Sequence, residues 1–230
     1  VPYILFKNKN LKVFYTDLHS NHFILKFLRL IVPYCLMPIK LKNLLARKLP
    51  SNLLKKFVKD LPLSSIFFHS NQEKLSKLVL ERALNDKFSG ANAIYTNFIN
   101  CDIEYLKKAK DQGIHIVHEM FISPDSGLIM YEENKRFPDV NIKHERWDDV
   151  QKGILLDKKK WEISDQIIVP SKYCKDSAIK MGVEPHKISL VPYGINRDLF
   201  NFIPSVQKGK ILFVGQLGLR KGAHYFAEAS

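Results

Sequence analysis

The run ILFVGQLGLRKGAHYF sets a buried-type strand, expected over 210–214, ahead of a turn that holds Gly215, Gly218 and Gly222. Gln216 follows the first glycine, and Arg220 and Lys221 stand beside the expected start of a helix over 223–230. Glycines let the backbone approach an anion, a helix start offers unpaired N–H groups, and two cations supply charge, so the turn can receive a diphosphate. It matches neither GxxxxGK[ST] nor GxGxxG, and a solvated corner has the same composition, so both readings stand at this point. His118 and Glu119 fall at the carboxyl end of a strand expected over 114–118, where open α/β sheets bind their ligands. The plainer alternative is a His closing a strand with Glu119 paired to a nearby Lys. Pro170-Ser171-Lys172 places a hydroxyl and a cation at a helix start, which suits an anion and equally suits an N-cap.

Other polar groups carry less. His115 alternates with Ile114 and Ile116 and is read as structural; Asp148, Asp149 and the run Asp157–Lys160 are read as solvated faces of a long helix. No GxSxG elbow is present, so a nucleophile triad has no support. Cys35, Cys101 and Cys174 lie far apart without ligand spacing, which argues against a zinc site and a disulfide framework and for a reducing, cytoplasmic setting.

The elements that must position these groups follow an alternating pattern of short β-rich runs and longer helical ones, the signature of a parallel sheet with crossover helices. Helices are expected over 71–87, 101–112, 143–164 and 171–181, and strands over 11–16, 93–96, 114–118, 166–169 and 187–191. Ser171 opens its helix after Pro170, and Gly182 sits where a helix end favours positive φ. Residues 21–59, broken by Pro33, Pro38 and Pro50, are expected to form helices joined by turns. The organisation expected is a Rossmann-like α/β domain over 1–191, a linker over 192–209 with no clean period, and the start of a second α/β domain over 210–230. The chain does not begin with Met, and a strand such as ILFV needs neighbours on both edges, so both ends are expected to continue in a longer protein.

The chain has 230 residues, 46% hydrophobic and 26% charged, which excludes disorder, collagen-like composition and a stapled miniprotein. Its 36 Lys and Arg outnumber 23 Asp and Glu, for a net charge of +13. Twelve of those cations, against Asp17 and Asp60 alone, lie in the first 60 residues, which therefore carry +10. Within that stretch Phe23, Leu25, Phe27, Leu28, Leu44 and Leu45 mix with Lys26, Arg29, Lys40, Lys42, Arg47 and Lys48. Such a mixture suits an anionic membrane surface, and it equally suits helices that cover a sheet and keep their charges in water. No recognised motif accompanies the charge, so nucleic acid is not expected as a partner. The longest apolar run, Leu30–Ile39, falls short of the roughly 18 residues of a membrane span.

From Asp165 onward, DQIIVPSKYCKDSAIKMGVEPHKISLVPYGINRDLF followed by ILFVGQLGLRKGAHYFAEA resembles the retaining glycosyltransferases of family 4, which have the GT-B fold. The upstream runs VFYTDL, AIYTNF and IHIVHE are similar to strands of that family's acceptor-side domain. The resemblance implies transfer of a sugar from a nucleotide-sugar to a polysaccharide or lipid-linked acceptor, with no cofactor or metal, at the cytoplasmic face of a membrane. It implies a donor diphosphate held by Lys221, which matches the family's Lys, with Gly215 and Gln216 at the family's Gly-Arg position and Arg220 in reach of the same phosphates. It places His118 at a catalytic, sugar-lining position, and Glu119, Ser171, Lys172 and Gly194 along the cleft. The family's paired glutamates would lie beyond Ser230. The alternative function is a non-catalytic α/β module that binds an anionic membrane or another anionic partner through residues 20–60.

Overall fold

The computed structural model describes residues 5, 7–16, 30–33, 35, 58–61, 72–97, 103–140, 144–195 and 207–230. The chain is a mixed α/β protein whose parallel sheets are flanked by helices, as the alternating pattern requires. It divides into two compact units, one comprising residues 1–94 and 98–116 and the other residues 95–97 and 117–230.

The first unit contains a two-stranded parallel sheet. Strand β1 (Phe14–Thr16) pairs with β2 (Val58–Asp60) in the register Phe14↔Val58, Tyr15↔Lys59, Thr16↔Asp60. Residues 58 and 59 are therefore strand, where helices were expected. Three residues, two of them charged, carry no periodic signal, and it is the partner strand that makes them a strand. The remainder of the expected helical stretch 21–57 lies outside the described residues apart from 30–33 and 35.

Helix α1 (Gln72–Asn85) runs into a tight turn in which Lys87, Phe88 and Ser89 all have positive φ. Left-handed backbone costs a non-glycine residue roughly 1 kcal/mol or more, so this turn must be held by its surroundings. Two anchors do so. Phe88 is buried with Ala83, Ala109 and Ile114, and Asp86 gathers three donors on one carboxylate. Those donors are Lys59 Nζ at 2.5 Å, Ser89 Oγ at 2.6 Å and the Tyr15 hydroxyl. They hold the Asp86 carboxyl far below the usual carboxylate range, while desolvation and the same contact push the Tyr15 phenol up to about 12. The end of α1 is thereby tied to β1 and β2 by charge-assisted bonds. Helix α2 (Ile103–Asp111) buries Leu106 and Ala109.

A four-stranded sheet has the order β3 (Ala93–Thr96), β4 (His115–Glu119), β5 (Gln166–Val169), β6 (Ile188–Leu190). Strands β3 and β4 begin in the first unit and end in the second. The β4–β5 and β5–β6 pairs are parallel, with His118 opposite Ile167 and Ile167 opposite Ile188. Sequential order with parallel strands demands a crossover between each pair, and the chain supplies helices for it. Between β4 and β5 lie α3 (Ser126–Arg136) and α4 (Trp147–Ile163), and between β5 and β6 lies α5 (Lys172–Lys180). Ile167 and Val169 are fully buried in the second unit's core with Trp161, Cys174, Ala178, Val183 and Ile188.

Residues 210–214 do not form the strand that their composition suggested. Ile211, Leu212 and Val214 stand 79%, 85% and 84% exposed, and no described strand lies beside them. A strand is defined by its ladder, and an apolar run without a neighbour has nothing to pair with. A 3-10 turn at Leu219–Lys221, in which Leu219 is buried, and helix α6 (Ala223–Ala229) follow. Among the described residues no helix is long and apolar enough to cross a membrane.

Candidate functional site

The carboxyl end of β4 holds His118, a strongly perturbed polar group of the second unit. Alternation along the strand buries Ile116 and His118 on one face, leaves His115 exposed, and leaves Val117 and Glu119 half-buried. The His118 ring has lost most of its water, and this desolvation pulls its pKa down to about 4. The positive charge of Lys160 pushes the same way, while a hydrogen bond with the Thr96 backbone works against both. At neutral pH the ring is uncharged, so it can donate from one nitrogen and accept at the other.

Lys160 was expected in solvent and is instead buried, with its Nζ 3.0 Å from the Asp157 carboxylate. The physical reason is helical geometry. Lys158, Lys159 and Lys160 are successive residues spaced by about 100°, so the run sweeps roughly 200° of helix surface and cannot stay wholly outward. Lys160 is the one that falls on the face carrying Ile163. Its ammonium is paired, as a buried charge must be.

Glu119, the next residue on β4, acts electrostatically on two phenols. Tyr95 at the end of β3 donates to it, and desolvation together with the Glu119 charge holds Tyr95 well above the usual phenol range. Tyr193, just past β6, is raised by desolvation and then by the same carboxylate. Neither tyrosine stood out in the sequence; the signal that could have found them is their place near the carboxyl end of a strand, Tyr95 one residue before the end of β3 and Tyr193 three residues past the end of β6. The result is a neutral imidazole, a carboxylate, two phenols and a paired ammonium around the carboxyl ends of adjacent strands. Such a set can hydrogen-bond a polyhydroxylated ligand and orient its hydroxyls.

Ser171 caps α5, its Oγ accepting from the Cys174 amide at 3.2 Å, and has the backbone geometry of an N-cap. Lys172 is exposed and pairs with Asp176 at 2.6 Å. Both residues thus have local partners that account for them. Gly194 is exposed, with open space where a Cβ would stand.

The glycine turn carries two exposed cations. Arg220 and Lys221 are exposed, and no hydrogen bond or ion pair among the described residues engages either side chain. Gly215 lies against the Lys221 stem, since a Cβ there would meet Lys221 Cγ at 3.6 Å, and Gln216 is exposed beside it. Gly222 has φ 68°, the left-handed conformation that turns the chain from the 3-10 segment into α6. Leu219 is buried and anchors the turn on α3. The structure therefore brings His118 and Glu119 together with Tyr95 and Tyr193, and places Arg220 and Lys221 with Gly215 in a separate turn.

Comparison with protein-family models, with curated proteins and with solved structures returns no match. The family resemblance accordingly rests on the order and spacing of the motifs.

Proposed function

We propose that this chain is part of a retaining glycosyltransferase that moves a sugar from a nucleotide-sugar to a polysaccharide or lipid-linked acceptor. The observation that carries the reading is the strand-end cluster: a buried, uncharged His118 beside Glu119, at the edge where open parallel sheets bind ligands. Arg220 and Lys221, exposed on a glycine turn, give it support from a second place in the chain.

In this reading the bond between the sugar's anomeric carbon and the phosphate oxygen breaks, and the acceptor hydroxyl forms the new bond on the same face. Its proton leaves with the diphosphate. Negative charge grows on the leaving diphosphate, and Arg220 and Lys221 stabilise it more as it develops, which lowers the barrier. His118, neutral and buried, hydrogen-bonds a sugar hydroxyl without placing a second positive charge in the pocket. The basic residues of 20–60 hold the protein at an anionic membrane surface, where a lipid-linked acceptor is found.

The test is titration of the full-length protein with uridine, guanosine and adenosine diphosphates by calorimetry. One of them binds, and Lys221→Ala weakens it about 10- to 100-fold, the range for a charged hydrogen bond of roughly 1.5–3 kcal/mol. Wild-type affinity in both Lys221→Ala and Arg220→Ala, or no binding by the parent protein, defeats the proposal and favours the non-catalytic module.

A further inference from the structure

Glu133, on α3, lies far in sequence from the glycine turn and yet holds the residues that follow it. Its Oε2 accepts the Tyr225 hydroxyl at 2.8 Å and lies 3.4 Å from His224 Nε2, while Oε1 takes Arg136 at 2.9 Å. The Glu133 side chain is only 15% exposed and the His224 side chain 7%. Phe137, just past α3, packs at a tilt against His224 with centroids 4.4 Å apart and meets Tyr225 edge-on at 5.4 Å. The Tyr225 bond and the Arg136 charge hold the Glu133 carboxyl below its ordinary range, against desolvation, so it is ionised at neutral pH.

His224 and Tyr225 are the second and third residues after Gly222, and the turn ending at Gly222 carries Arg220 and Lys221. Buried Leu219 fixes the turn's other side on α3. The two cations are thus bracketed by anchors on the same helix, one apolar and one charged. No described residue pairs with either side chain, so the backbone that these anchors fix sets where the two cations start from. We infer that Glu133 is a positioning residue for the anion-binding turn: through the Tyr225 hydroxyl it fixes the backbone from which Arg220 and Lys221 reach a diphosphate. This rests on the function proposed above, and it assigns to α3 a part in that function beyond packing.

Holding a flexible turn before the ligand arrives reduces the ordering cost of binding, so loss of the anchor is felt as affinity. The experiment uses the full-length protein and the nucleoside diphosphate that binds best. Glu133→Ala and Tyr225→Phe weaken binding about 5- to 10-fold, Glu133→Gln, whose amide oxygen still accepts from Tyr225, restores most of it, and hydrogen exchange at residues 219–226 rises in step. Melting temperatures, measured alongside, separate a local release from loss of folding. Unchanged affinity in Glu133→Ala and Tyr225→Phe, with Lys221→Ala weakened, overturns the positioning role and leaves the transferase reading standing. Equal loss in Glu133→Gln and Glu133→Ala also overturns it, since the role depends on an acceptor oxygen. Absence of diphosphate binding in the parent protein removes both.

Discussion

A histidine buried beside a lysine ammonium is a measurable pH device, and its sign follows from linkage. The unfolded ring titrates near its ordinary value of 6.5, and the folded ring near about 4. Between those values the unfolded chain binds more protons, so stability is fully present above about 6.5 and falls as pH drops through the window toward about 4. A shift of that size corresponds to something on the order of 3 kcal/mol. The denaturant midpoint therefore falls as pH drops from 7 to 4, and His118→Gln flattens that fall. Lys160→Met keeps the stem and removes the charge, so the His118 pKa rises toward 6.5 without reaching it, because desolvation is the larger cause. Ring resonances followed by nuclear magnetic resonance measure that rise directly. A His118 pKa unchanged by Lys160→Met would mean that the ammonium does not reach the ring.

The elements that hold this residue were legible in proportion to how local their causes are. Strands Ala93–Thr96 and Gln166–Val169 stand at their expected positions because four apolar or β-prone residues between turn signals leave little choice. Helix α5 announces itself through Ser171 after Pro170, and the cap bond is present. Helix α3 was not foreseen, because Leu128, Ile129 and Met130 form one clump rather than a spaced stripe, and Ile129 remains exposed. Strand β2 escaped for the opposite reason, since only its pairing with β1 defines it. At the site, His118 and Glu119 were visible as a strand end, whereas Tyr95 and Tyr193 become neighbours of Glu119 through strand pairing that no single segment encodes. The energetic ranking is open to test. Ile167→Ala empties part of the second unit's core and lowers stability by about 3 kcal/mol, while Ser171→Ala removes one cap and lowers it by about 1 kcal/mol. Equilibrium denaturation of the two variants measures the difference; equal losses would mean that the core around Ile167 relaxes to fill the cavity.

Across the whole molecule, charge is concentrated rather than spread, and that makes its partner testable independently of any enzymatic step. The first 60 residues carry +10 of the net +13, so the other 170 are close to balanced. Attraction to an anionic surface is worth about 1 kcal/mol for each Lys or Arg brought near it, and it decays within the screening length. That length falls from roughly 10 Å at 0.1 M salt to roughly 3 Å at 1 M. The full-length protein is therefore expected to sediment with vesicles containing an anionic lipid at low salt, to be released at high salt, and to ignore neutral vesicles. Substituting Lys40, Lys42, Arg47 and Lys48 together with Gln removes four of the local charges. That variant binds anionic vesicles at least 10-fold more weakly, while its affinity for nucleoside diphosphate, which depends on Arg220 and Lys221, stays the same. Equal binding to neutral and anionic vesicles would show that apolar insertion, and not charge, holds the protein to lipid. Loss of diphosphate binding in the same variant would place these four cations at the donor site instead of at the membrane.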